Sequence, residues 1–192
     1  MRIVGGVWSG RKLVTPGGEA TRPTSEGIRE SLFNVLAHRF SHEPRNILDL
    51  FAGTGALAFE ALSRGGERAL LVESDRKALD SIRRNQESLG VGSDVLGYLT
   101  NSKIESWGRW INDKGKEFLP IDTIFCDPPY DKGLIPRALK GLQDAAVPLT
   151  ESAVLICEVS SREKSPDLSC WKLEDERRRG TTGLLFYRHL GW

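Results

Sequence analysis

From residue 46 onward the chain alternates short apolar runs with longer amphipathic stretches: "NILDLF", then "GALAFEALSRG", then "RALLVE", then "DRKALDSIRRNQESLG". Strand-length apolar runs separated by helical periodicity predict βαβ units and a parallel sheet. Further strands are expected at "VLGYLT", "IDTIFCD" and "AVLICEV", with an amphipathic helix, "GLIPRALKGLQDA", between the last two. The style then changes. "WKLEDERRRGTTGLLFYRHL" sets two strand-like runs around a Gly-Thr-Thr-Gly turn, which predicts an antiparallel hairpin closing the edge of the sheet. The expected fold class is α/β, a doubly wound, mostly parallel, seven-stranded Rossmann-like sheet.

Ahead of this body, residues 1 to 15 read as a small β-hairpin with a glycine-rich turn. A polar Gly/Pro linker and a helix from about Ser25 to Phe40 follow. The expected division is an extension over residues 1–44 and a main domain over 45–192. There are no internal repeats and no low-complexity tract.

Composition changes this picture little. With 192 residues and 39% apolar content the chain is long enough for one compact core with a small appendage. Charged residues make up 28% and nearly cancel to a net +1, so a polyanion would have to be met by a local patch. No run of signal-peptide length opens the chain and no stretch could span a bilayer, which predicts a cytoplasmic protein. Cys126, Cys157 and Cys170 are widely spaced and form no metal-ligand pair, so buried free thiols are expected. His38, His42 and His189 have no nucleophile motif beside them and read as surface or packing residues. Trp107 and Trp110, at i and i+3, read as helix packing. Metal catalysis has no support, and a monomer is expected because no long exposed apolar face is evident.

The chemistry begins at "LDLFAGTGALA". Gly53 and Gly55 fall between a strand and a helix, where backbone can approach a ligand and free N–H groups point outward. With Ala58 the loop satisfies the loose dinucleotide form G-x-G-x-x-G/A, and Glu73 at the end of the next strand sits where an acid binds ribose hydroxyls. A nicotinamide oxidoreductase is therefore one reading. Asp49 tilts the choice: a carboxylate near the loop repels a pyrophosphate but attracts the α-ammonium of a methionine moiety. That favours S-adenosylmethionine over NAD.

"IFCDPPYDKG" then ends an apolar strand in a stiff loop, because neither proline can donate a ladder bond. In an open α/β sheet ligands sit beyond the carboxyl ends of the strands, so Asp49, Glu73 and Asp127 should converge on one crevice. An exocyclic nucleobase amine is a poor nucleophile whose lone pair is delocalised into the ring. Asp127 and the carbonyl of Pro128 can accept its hydrogens, with Pro129 fixing their directions, and Tyr130 offers a face on which an unstacked base could lie.

"DLFAGTG", the acid in "LLVES" and "DPPYDKG" together resemble the class I S-adenosylmethionine-dependent amino-methyltransferases. Within them Asp-Pro-Pro-Tyr occurs in adenine N6 and guanine N2 enzymes alike. "MRIVGGVWSGRKLVTP" and "TRPTSEGIRESLFNVL" resemble the RsmD family, bacterial methyltransferases of guanine 966 N2 in 16S ribosomal RNA, in matching order over nearly the whole chain. The resemblance implies that Asp49, Phe51, Gly53, Gly55 and Glu73 line the cofactor site, with Asn101 facing adenine. It implies that Asp127 to Tyr130 hold the guanine. Gly27 departs from the family, which commonly carries a basic side chain there.

The first forty residues hold six Lys/Arg (Arg2, Arg11, Lys12, Arg22, Arg29, Arg39) against three acids, with Trp8 among them. That is a phosphate-tracking surface with a stacking point, or equally a solvated hairpin with Trp8 in a small core. The family resemblance favours RNA binding, with Arg11, Lys12 and Arg22 as the contacts. The run Glu174 to Arg179 reads as an edge strand kept from pairing by its charges. The expected function is methyl transfer from S-adenosylmethionine to guanine N2 in the 16S RNA of the small subunit or an assembly intermediate. An adenine N6-methyltransferase, an NAD-dependent oxidoreductase and a non-catalytic RNA-binding protein are its rivals.

Overall fold

A computed structural model describes residues 1–16, 25–100, 103–130 and 132–192. Helix α1 (Glu26–Arg39) begins where the Ser25 hydroxyl accepts the Ile28 N–H, carries Glu26 in its first turn and His38 and Arg39 in its last, and so matches its own dipole at both ends. Strand β1 (Asn46–Leu50), helix α2 (Ala56–Ser63), strand β2 (Arg68–Val72), helix α3 (Arg76–Leu89) and strand β3 (Leu96–Leu99) follow as the apolar pattern predicts. Helix α4 (Trp107–Lys114), strand β4 (Ile121–Cys126), helix α5 (Leu134–Asp144) and strand β5 (Leu149–Ser160) continue the alternation. Strands β6 (Trp171–Arg179) and β7 (Thr182–His189) form the hairpin.

The seven strands lie in the order β3-β2-β1-β4-β5-β7-β6, with β1 to β5 parallel and β7 antiparallel to both its neighbours. The expected sheet is the observed one. Central strands are covered on both faces, which is why β4 is buried at every position, the polar Asp122 and Thr123 included. On one face Phe33, Phe59, Ile82 and Phe125 join α1, α2 and α3 to the sheet; on the other Trp107, Ile111, Leu139 and Leu142 join α4 and α5. From β1 the chain runs to β2 and β3 on one side and to β4 and β5 on the other. The crevice beyond the carboxyl ends of β1 and β4 is thus the topological switch point where ligands bind in such sheets.

Three local expectations change. The N-terminal hairpin contracts to one bridge, Arg2 to Lys12, because the chain between is held elsewhere. Gly6, at φ +79°, lies so near α2 that a Cβ would sit 1.8 Å from the Ser63 carbonyl oxygen. The buried Glu60 carboxylate accepts the Val4 and Gly5 N–H groups at 2.7 and 2.8 Å, and the Arg64 Nε at 2.9 Å. Arg29 lies 3.9 Å from Glu60, fully buried, with its guanidinium donating to the Arg2 carbonyl. It is therefore not part of a phosphate-tracking surface. Trp8 packs half-buried against the core, the more modest of its two readings.

Trp107 and Trp110 do not pack alike. Trp107 is buried with Ile111, one turn on, whereas Trp110 is 38% exposed beneath the Lys114 ammonium. The histidines also divide: His38 is exposed, while His42 is buried and hydrogen-bonded to Thr123 at 2.8 Å. Cys126 and Cys157 are buried free thiols, and Cys170 is partly buried. β6 carries its charges on the exposed edge, as expected. Among the described residues no helix is long and apolar enough to cross a membrane.

Candidate active site at the carboxyl ends of β1, β2 and β4

The glycine loop takes its shape from backbone that only certain residues tolerate. Phe51 leaves β1 at φ +62°, Gly53 follows at +55° and Gly55 caps α2 at +75°. The two glycines serve different ends. A Cβ on Gly53 would meet nothing within 4 Å, so the backbone there faces open space, whereas a Cβ on Gly55 would lie 2.9 Å from both Leu71 and Phe59. Gly53 opens the loop to a ligand and Gly55 lets the helix pack on the sheet. The Phe51 ring rests edge-on against Trp107 at 4.8 Å, which holds it in its unusual backbone conformation.

Glu73 at the end of β2 closes the loop from the other side. One oxygen accepts the Gly53 N–H at 2.7 Å; the other accepts the Ser74 and Asp75 N–H groups at 2.6 and 2.7 Å. Asp49 lies beneath, 2% exposed, with Oδ2 accepting the Ala58 N–H at 3.3 Å. Burial pushes its carboxyl well above the usual carboxylate range; the Ala58 N–H pulls the other way, and the charges of Asp127 and Glu73 push it further up. Those influences place the three predicted acids within electrostatic reach of one another. One buried and two half-buried carboxylates so placed would attract a cationic group.

At the end of β4, Asp127 is half-buried, Pro128 buried, Pro129 exposed and Tyr130 half-buried. The Tyr130 hydroxyl donates to Glu158 Oε1 at 2.8 Å. Burial raises its pKa, and the Glu158 and Asp127 carboxylates add to the rise against a hydrogen bond with Thr182, so the phenol stays protonated at physiological pH. A pocket of about 180 Å³ opens beside this loop, lined among others by Pro128, Pro129, Tyr130, Ile135, Glu158 and Pro166.

The predicted residues Asp49, Phe51, Gly53, Gly55, Glu73 and Asp127 to Tyr130 are thus brought to one end of the sheet. Asn101 and Arg22 lie outside the described residues. Arg11 and Lys12 are exposed at the N-terminal bridge, and the Arg11 guanidinium donates to the Ser88 carbonyl at the end of α3. Two further residues belong here. Asn85, fully buried on α3, accepts the Val14 N–H at 2.7 Å and donates to the carbonyls of Val14 and Thr54 at 3.1 and 3.2 Å, tying the extension to the glycine loop. Its signal in the sequence was a polar residue on the apolar face of a helix. Glu158, a charge inside the apolar run of residues 153–159, was as visible. Among the described residues no group of three or more His, Cys, Asp or Glu side chains could hold a metal ion.

Comparisons with known proteins agree with this architecture. The ribosomal RNA small subunit methyltransferase D of Escherichia coli is 34% identical over 194 residues, covering 98% of this chain and 89% of that protein. The Bacillus subtilis protein YlbH is 31% identical over the full length of both chains. A solved structure of the Escherichia coli protein yhhF superposes with a TM-score of 0.80 at 31% identity, covering 100% of this chain and 99% of that one. The fold is that of the class I methyltransferases. The family model described as Conserved hypothetical protein 95 matches residues 1–188, and the chain belongs to that family, the RsmD family.

Proposed function

We propose that this protein transfers the methyl group of S-adenosylmethionine to the exocyclic N2 of a single guanine, at position 966, in 16S ribosomal RNA of the small subunit or an assembly intermediate. The observation that carries the reading is the convergence of Asp49, Glu73 and the Asp-Pro-Pro-Tyr loop on one crevice, in a chain similar over nearly its whole length to a ribosomal RNA methyltransferase. The residues present fit the cofactor. Asp49 offers a buried carboxylate to an α-ammonium, Glu73 an acceptor to ribose hydroxyls, and Gly53 an open backbone approach. S-adenosylmethionine supplies an electrophilic methyl on a sulfonium.

Asp127 and the Pro128 carbonyl accept hydrogens from the guanine amine, so that its lone pair turns out of the ring toward the methyl group. No strong general base is required, because the methylated amine is transiently cationic and sheds its proton easily. Tyr130 and its pocket receive a base turned out of its stack. Arg11, Lys12 and Arg22 hold phosphates of the surrounding RNA. Residues 1–44 act as the RNA-binding extension and 45–192 as the catalytic domain of a cytoplasmic monomer.

The test is transfer of labelled methyl to small subunits from cells lacking the endogenous enzyme, followed by digestion to nucleosides. N2-methylguanosine at one site is expected, with roughly a hundred- to thousandfold loss in Asp127→Ala at unchanged cofactor affinity, the range for removing a principal transition-state contact. N6-methyladenosine as product would replace guanine by adenine in the reading. Unchanged particle binding with no transfer at all would leave a non-catalytic RNA-binding protein.

A further inference from the structure

Resting on the guanine reading above, we infer that Glu158 is the residue that selects guanine, by accepting the N1–H of the target base while Asp127 holds the neighbouring N2 amine. The sheet register supports this. Cys126 of β4 pairs with Cys157 of β5, so Asp127 and Glu158 are the next residues on adjacent parallel strands. Alternation places them on the same face as Asp49, which pairs with Phe125 two residues before Asp127. Two side-by-side acceptors at the mouth of the switch point match two side-by-side donors: guanine presents N1–H next to its N2 amine. Adenine presents a bare N1 lone pair next to its N6 amine, and a carboxylate would repel it.

Burial and bonding point the same way. Glu158 is 8% exposed within the buried run of residues 153–159, which is otherwise apolar, a costly place for a carboxylate unless donors meet it. The Tyr130 hydroxyl is one donor, at 2.8 Å. A carboxylate has about four lone-pair positions, so it has capacity for the base as well. Glu158 lines the 180 Å³ pocket together with Pro128, Pro129 and Tyr130. A carboxylate serving only to anchor the tyrosine would be expected to hold Tyr130 without influencing which purine is accepted. That difference is measurable.

The experiment uses the full chain and small subunits reconstituted with 16S RNA carrying either guanine or 2-aminopurine at the methylated position. 2-Aminopurine keeps the reacting amine but offers N1 as an acceptor. The wild type should prefer guanine in kcat/KM by on the order of 10- to 100-fold, the discrimination given by one well-placed base-edge contact. In Glu158→Gln the amide can donate to N1, so the preference should shrink to near unity or reverse, with cofactor affinity unchanged. Equal preference in wild type and Glu158→Gln would overturn the inference while leaving guanine methylation intact. Transfer to neither base by the wild type would sink the guanine reading itself, and this inference with it. Should Glu158→Gln fail to fold or be inactive on both bases, Tyr130→Phe decides. It removes the anchor and spares the carboxylate, so guanine preference should survive at a reduced rate. Loss of that preference in Tyr130→Phe would assign discrimination to the tyrosine and refute the role of Glu158.

Discussion

In the proposed reading the choice of ligand turns on one side chain, Asp49. Its pKa is raised from an ordinary value of 3.8, first by burial and then by the charges of Asp127 and Glu73, against the pull of the Ala58 N–H. A cation arriving at the carboxylate favours the charged form, so binding releases the proton that burial retained. Affinity for S-adenosylmethionine should therefore rise with pH through the raised pKa of Asp49 and level off above it. Calorimetry in two buffers of different ionisation heat would detect the released proton. Asp49→Asn should flatten the profile and weaken binding above that pKa by roughly tenfold or more, since a hydrogen bond to a charged group is worth about 1.5–3 kcal/mol. This residue was visible in the sequence as an acid before a glycine loop, and the structure adds its bond to the Ala58 N–H. Glu158 was legible as an anomaly and Asn85 only as a polar gap in an apolar face; what each touches depends on strands and segments far away in the chain. Gly27 was read as a departure, and the structure places it in an open groove beside Glu30, His38 and Arg177, where a Cβ would meet nothing within 4 Å.

Among the elements, the join between the extension and α2 rests on a buried pair, Arg29 and Glu60. Glu60 holds Val4, Gly5 and Arg64 as well, and the Arg64 guanidinium lies over the Phe33 ring at 4.9 Å. Glu60→Ala should cost about 3–5 kcal/mol in chemical denaturation, because it strands a buried guanidinium without its counter-charge. Replacing both partners by apolar residues of similar volume, as in Arg29→Met with Glu60→Leu, should recover much of that loss; equal damage from the single and double variants would mean the backbone bonds, not the charge, carry the join. Periodicity showed α2 as a helix but singled out nothing at its glutamate, since an isolated acid in an apolar helix gives no sign of a partner about thirty residues earlier. The same long-range ties explain why the N-terminal hairpin shrank to one bridge: residues 4 and 5 spend their N–H groups on Glu60.

Across the whole molecule, Asn85 links the extension to the catalytic crevice through Val14 and Thr54. Asn85→Ala should lower affinity for S-adenosylmethionine several-fold by loosening the glycine loop, two or three buried hydrogen bonds of about 1 kcal/mol each being at stake. An unchanged affinity, measured by titration, would mean that the loop is held without it. Strand and helix identities were readable from hydrophobic period, but the order of strands was not, because parallel strands declare no neighbour. Nothing in the local pattern says that β7 fills the slot beside β5 and leaves the earlier β6 outside. This placement has a consequence for synthesis on the ribosome. Until residues 182–189 have emerged, β5 has a bare flank and the charged β6 has nothing to pair with, so the half-made chain is held back from completing its sheet. The lysine, arginines and acids of β6 then act as a temporary guard, discouraging stray strands from a neighbouring nascent chain from taking the place reserved for β7.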